Sequence, residues 1–97
     1  MDRALLIGII LPKVSDGDVK NHLDELKMLA QTANVETLGE IKQRVQKINP
    51  AFYIGKGKAQ QVIDQAILLG ANVIIFDDEL SPAQIKNYHK LAKKIKV

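Results

Sequence analysis

The 97 residues contain no cysteine, which excludes a disulfide framework and a thiolate metal site; the composition suits a reducing compartment, and a cytoplasmic setting is expected. Long apolar runs are also missing. The longest, Ala4 to Pro12 and Val73 to Phe76, fall well short of the roughly 20 residues that a membrane helix needs, and no signal-peptide apolar region with a cleavage site opens the chain. Neither a membrane span nor export is expected. Histidine is scarce: His22 and His89 have no second ligand at metal spacing and read as surface residues on helices. No Ser/His/Asp or Cys/His set exists, which removes the common nucleophilic hydrolases. Repeats and low-complexity segments are absent as well.

What is present suffices for one domain with a real core, since 46% of the residues are hydrophobic. The net charge of +3 is modest but segregated. Ile41 to Ile63 holds five bases (Lys42, Arg44, Lys47, Lys56, Lys58) and no acid, Leu80 to Val97 holds five lysines and no acid, and residues 1–40 carry seven acids against four bases. Blocks of one sign form solvated faces in many proteins; two of them in so small a domain also suit a polyanionic partner.

Ala4 to Ile10 is a continuous apolar run too short for a helix and rich in β-branched residues, as expected of a buried strand ended by Pro12. A helix follows, capped by Asp16 or Asp18, with Val19, Leu23, Leu26, Ala30 and Ala33 on its inner face. Residues 35–46 alternate, with Val35, Thr37, Gly39, Ile41, Gln43 and Val45 against a polar second face, and predict an edge strand. Ala59, Val62, Ile63, Ala66 and Leu69 form the stripe of a second helix that Gly70 ends. Residues 72–76 are a third, buried strand. Ser81, Pro82 and Gln84 then supply a cap, an N1 proline and a capping box for a third helix. Its inner face is Ile85, Tyr88, Ala92 and Ile95, with Lys86, Lys90 and Lys94 on one outer line. The expected fold is a small three-layer α/β domain with a mostly parallel sheet in βαβαβα order, and Lys96–Val97 begin a fourth strand.

Candidate functional residues gather at the C-terminal strand ends, the usual ligand edge of such sheets. Asn49-Pro50-Ala51-Phe52-Tyr53-Ile54-Gly55-Lys56-Gly57-Lys58 sets two glycines, two lysines and two aromatics ahead of a helix. Gly55 and Gly57 can take positive φ and converge N–H groups on a phosphate, although the same string also suits a plain turn. It is not a Walker A loop: the second Gly-Lys comes too early and Ala59 stands where a magnesium-binding hydroxyl belongs. Asp77, after four hydrophobics, resembles a Walker B aspartate, or else Asp77, Asp78 and Glu79 only solvate a strand end and favour the next helix start. Phe52 and Tyr53 serve either core packing or base stacking.

Ile54-Gly55-Lys56-Gly57-Lys58, followed after about twenty residues by Ile75-Phe76-Asp77-Asp78-Glu79-Leu80-Ser81-Pro82-Ala83-Gln84, resembles the N-terminal domain of the HflX family of translational GTPases. The resemblance covers essentially the whole chain. Leu23 to Leu26 and Leu29 to Ala33 look like that family's first helix, with Asn34 where a glycine is usual; Asn tolerates the left-handed turn. The resemblance implies a fragment of a longer protein, in which a helical hairpin and a GTP-binding domain follow. It implies a parent that uses GTP and magnesium through that absent domain, binds the large ribosomal subunit and splits stalled or stressed ribosomes. This domain would be non-catalytic, without a cofactor, and would face ribosomal RNA. Gly55, Lys56, Gly57 and Lys58 would meet phosphates, and Lys42, Arg44, Lys86, Lys90 and Lys94 would add longer-range attraction. Two alternatives stand beside it: a divergent ATP-binding or hydrolysing domain using Lys56, Lys58 and Asp77, and a docking domain that regulates the downstream GTP-binding domain.

Overall fold

The computed structural model describes residues 1–97. Its elements run β1 (Arg3–Ile10), α1 (Asp16–Thr32), β2 (Glu36–Arg44), α2 (Lys56–Leu69), β3 (Val73–Phe76) and α3 (Pro82–Leu91). The strands are all parallel, in the order β2-β1-β3. Three layers result, as the sequence predicts. The central strand β1 sends alternate residues to both faces. Leu5, Ile7 and Ile9 pack with Val62, Ile63 and Ala66 of α2 and Tyr88 of α3, while Ala4, Leu6 and Ile10 pack with Val19 and Leu23 of α1. Burial on both sides is why β1 reads as an unbroken apolar run. Each fully buried Leu or Ile contributes on the order of 1.5–3 kcal/mol relative to exposure, so β1 anchors both layers.

Several boundaries depart from the sequence reading, each for a local reason. The cap of α1 is Ser15, whose hydroxyl accepts the Asp18 N–H at 3.1 Å; Asp16 and Asp18 sit in the first turn instead. Strand β2 is shorter than expected, and its pairing with β1 shifts between Ala4 and Leu5. That irregularity breaks the period of two. Val35 therefore packs on the α1 side, and Leu38, assigned to the polar face, packs against the core under α2. Asn34 takes φ 60° after α1, as an Asn can. The third helix ends at Leu91, so Lys94 lies beyond it and the expected line of three lysines is one pair, Lys86 and Lys90. The capping box at Ser81 and Gln84 forms as expected. The expected fourth strand is present as a single parallel bridge between Lys96 and Val73, held by Ile74 N–H to Lys96 O at 2.8 Å and Lys96 N–H to Asn72 O at 3.0 Å.

Helix α1 lies close on β1 because Gly8 has no side chain. A Cβ there would stand 2.6 Å from Val19 Cγ1 and 2.9 Å from Leu23 Cδ1. Gly8→Ala should lift α1 from the sheet and cost about 1–3 kcal/mol of stability, measured by denaturant unfolding. An unchanged midpoint would show that α1 has room to move.

Candidate functional site

The loop from Asn49 to Tyr53 folds on itself before it reaches α2. Asn49 and Tyr53 exchange both backbone hydrogen bonds, at 2.8 and 2.9 Å, and Asn49 Oδ1 accepts the N–H groups of Ala51 and Phe52 at 2.9 and 2.7 Å. An Asn in this position makes such a turn readily. Helix α3 then holds the loop from outside. Gln84 Nε2 donates to Asn49 O at 2.8 Å, Asn87 Nδ2 to Ala51 O at 2.9 Å and the Tyr88 hydroxyl to Phe52 O at 2.7 Å. Asn87 thus satisfies the Ala51 carbonyl, which no backbone N–H reaches, while Gln84 and Tyr88 add second donors to carbonyls that already accept the Tyr53 and Ile54 N–H groups. The network also tolerates a local cost, for Tyr53 sits at φ 69°, a region that costs a non-glycine residue about 1 kcal/mol or more.

The aromatics weld the loop to the core. Phe52 meets Tyr88 edge-on at 5.5 Å, Tyr88 meets Phe76 at 5.5 Å, and Phe76 lies 6.2 Å from Tyr53. Tyr53 is 3% exposed and its hydroxyl donates to Asp78, so it offers no open face for a base. Phe52 is half-buried. Core packing is the role both rings fill here. Burial pushes both tyrosine phenols well above the ordinary range, and the Asp78 carboxylate adds to this at Tyr53.

Beyond the loop the three helix starts differ. Ser15 caps α1, ahead of two acids, and Ser81 with Gln84 closes α3. The start of α2 has neither a side-chain cap nor an acid in its first turn. Its N-cap, Gly55, lies at φ 91° and ψ 152°, a region essentially reserved for glycine. Gly57 is the exception to the expected pair of flexible glycines, since it stands inside α2 with helical geometry and open space around it. The N–H groups of Lys56, Gly57 and Lys58 have no acceptor in the chain. Both lysines are exposed, and Lys58 Nζ reaches back to Arg44 O at 2.9 Å. Lys58 therefore also ties α2 to the end of β2.

The other candidate bases do not extend this surface as one stripe. Lys42 and Arg44 are partners of Gly8 and Ile10 in the sheet register and belong to its α1 side, where Arg44 pairs with Asp16 at 3.2 Å. Lys86 and Lys90 are exposed on α3, across the sheet, and Lys94 follows it. The residues of the nucleotide alternative make no direct contact with one another. Asp77 Oδ1 accepts the Ile9 N–H at 3.1 Å at the end of β1, and no ion pair or hydrogen bond links Asp77 to Lys56 or Lys58; the three ion pairs are Lys20–Asp24, Arg44–Asp16 and Lys96–Asp2. Lys58 is anchored at the β2 end, two strands away from β3. Desolvation raises the Asp77 pKa, and its neighbour Asp78 adds to this, while the Ile9 hydrogen bond and nearby His22 oppose it. No cluster of His, Cys, Asp or Glu residues is placed to hold a metal ion.

A small parallel α/β domain with a braced loop and an open helix start is the class these features define. Residues 20–97 match the family model described as GTP-binding GTPase N-terminal, and the chain belongs to that family as the N-terminal domain of HflX. It is 43% identical over 82 residues to the GTPase HflX of Lacrimispora saccharolytica, 81% of this chain and 19% of that protein. It is 33% identical over 90 residues to the GTPase HflX of Flavobacterium psychrophilum, 93% of this chain and 22% of the relative. For the GTPase HflX of Escherichia coli the identity is 33% over 92 residues, 95% and 21%. The chain spans about a fifth of the length of the curated relatives it matches. No helix is long and apolar enough to cross a membrane.

The α3 clamp was not foreseen from the sequence, which marks Gln84 as a capping residue but carries no local sign that Gln84, Asn87 and Tyr88 reach back to residues 49–52. Gln84→Ala removes the capping-box partner and the Asn49 contact together and should cost about 1–3 kcal/mol, with Tyr88→Phe near 1 kcal/mol. Chemical denaturation reads both; values within error of wild type would show that water replaces the contacts. Asp77 gives a pH signature. Its folded carboxyl holds its proton more tightly than in the unfolded chain, so its contribution to stability falls as pH rises from the ordinary aspartate range through the raised folded value. Asp77→Asn can keep the Ile9 hydrogen bond without the charge. Its melting temperature at neutral pH should equal or exceed that of wild type, with the difference shrinking on acidification; a constant deficit at every pH would contradict this.

Proposed function

We propose that this domain is a non-catalytic, ribosomal-RNA-facing module of an HflX-type GTPase, and that it contributes contacts to the large ribosomal subunit when the parent protein splits stalled or stressed ribosomes in the cytoplasm. The observation that carries the reading is the start of α2: three N–H groups without acceptors and two exposed lysines, at the end of a loop held rigid by α3. Such a start favours an anion through its unpaired donors and the helix dipole. RNA phosphates are the anions that an HflX-type parent would offer. Lys56 is the freer of the two lysines, because Lys58 shares its ammonium with the Arg44 carbonyl. Lys42, Lys86, Lys90 and Lys94 act as diffuse positive potential that speeds encounter, and Arg44 contributes less because Asp16 partly neutralises it.

The parent would use GTP and magnesium in a separate GTP-binding domain. A second reading, in which this domain docks on that neighbour and regulates it, draws on the same rigid loop. In the nucleotide reading a ligand would have to bridge Asp77, whose Oδ1 accepts the Ile9 N–H, and the lysines, of which Lys58 bonds to the Arg44 carbonyl.

Lys56→Ala with Lys58→Ala should weaken association with isolated large subunits and reduce the slope of log affinity against log salt by about one to two units. Loss of the Lys58 bond to Arg44 should leave the melting curve close to wild type, as exposed truncations change stability by about 0.5 kcal/mol or less. Unchanged affinity and slope would remove the lysines from the interface and favour the docking reading. Calorimetry of this chain with GTP and magnesium should give no saturable heat, and micromolar binding, equivalent to about 8 kcal/mol, would contradict the non-catalytic reading.

A further inference from the structure

Strand β2 forms an open edge of the sheet, and its backbone has a definite free face. The Val45 N–H donates to Ile10 O at 2.9 Å, which sets the alternation: Gly39, Ile41 and Gln43 turn their amide and carbonyl groups to β1, and Glu40, Lys42 and Arg44 turn theirs outward. Lys58 Nζ already occupies the Arg44 carbonyl. Glu40 and Lys42 keep both of their outward backbone groups free, and their side chains are of opposite charge. Beside the edge, on the α2 side, runs a groove of about 530 Å³ whose lining includes Leu38, Ile41, Val62 and Leu69. The end of α2 next to it is apolar and open, with Leu68 80% exposed and Leu69 39% exposed.

We propose that this edge is an interface for a second copy of the same chain, with the two β2 strands antiparallel about a two-fold axis at Ile41. In that register Glu40 lies opposite Lys42 of the second copy, and Lys42 opposite its Glu40, as hydrogen-bonded pairs with both charge pairs on the α1 side. Ile41 meets its own copy on the groove side, where the two grooves join. The charges select this register over its neighbours. Moving the strands by one step of the pleat sets Glu40 against Glu40 in one direction and Lys42 against Lys42 in the other, and like charges directly opposite are unfavourable; the second shift also brings Glu40 opposite Arg44, but that guanidinium already pairs with Asp16 and the Arg44 carbonyl is held by Lys58. An odd shift would turn inward-bonded residues to the partner. Mixed charge on an edge discourages pairing with unrelated strands; only a partner with the reversed order of charges, such as the copy itself, makes it attractive. Self-association does not depend on the RNA reading.

Sedimentation equilibrium of the 97-residue chain should show a reversible dimer that weakens with salt. Lys42→Glu or Glu40→Lys should each weaken it roughly tenfold or more, as attractive pairs become repulsive. The double variant carrying both changes should recover it, and mixing the two single variants should give a heterodimer. Lys42→Pro removes an outward N–H that β1 does not use, so it should abolish the dimer with the circular dichroism melt retained. A monomer at all concentrations up to millimolar would overturn the proposal. So would a dimer indifferent to both single charge reversals, or one that neither the double variant nor the mixture restores.

Discussion

Three hydrogen bonds from one face of α3 to the carbonyls of a distant loop are what the candidate site depends on. Gln84, Asn87 and Tyr88 reach Asn49, Ala51 and Phe52 across some 35 residues of sequence. The contact does three things together. It gives the Ala51 carbonyl its donor and the Asn49 and Phe52 carbonyls a second one, it holds Tyr53 in an unfavourable backbone region, and it fixes where Gly55 delivers the chain into α2. Gln84 joins two of these structures, since its Oε1 accepts the Ser81 N–H at 2.8 Å while its Nε2 serves the loop. The helix start that caps α3 is therefore also the brace that positions the open start of α2.

This arrangement gives the three helix starts different chemistry on a common sheet edge. A serine caps the third amide of both α1 and α3, and two acids stand in the first turn of α1, whereas the first turn of α2 has no side-chain cap, no acid and a lysine on each side of Gly57. A rigid loop matters for such a surface because a phosphate contact from a preordered backbone spends less entropy on binding than one from a mobile loop. The dispersed bases play a different part. Split between the α1 side and α3, they cannot grip one ligand together, but they give the domain the positive field that a polyanion would meet from several directions.

Most of the fold was legible because its signals are local. The apolar run of β1, the Gly70 stop and the Ser81-Pro82-Gln84 start each follow from a few neighbouring residues, and the βαβαβα order then dictates a parallel sheet. What was hidden is long-range or parity-dependent. One irregularity in the β1–β2 pairing inverted the faces assigned to Val35 and Leu38, and strict alternation offers no warning of such a slip. At the site, the glycine-lysine string and its helix were visible, but the helix begins three residues earlier than the apolar stripe suggested, which places Lys56, Gly57 and Lys58 in its first turn. Asp77 looked like a partner for the lysines by analogy with nucleotide sites. In the fold one of its oxygens accepts the Ile9 N–H, a contact that only the strand order could reveal.

Native-state amide hydrogen exchange tests this account most directly, because it reads the brace and the open helix start residue by residue. The account predicts that the Asn49 and Tyr53 amides exchange as slowly as those within α3, while the amides of Lys56, Gly57 and Lys58 exchange rapidly despite standing in a helix. Uniformly fast exchange across residues 49–53 would contradict it, since the loop would then open independently of α3 and could not position the start of α2.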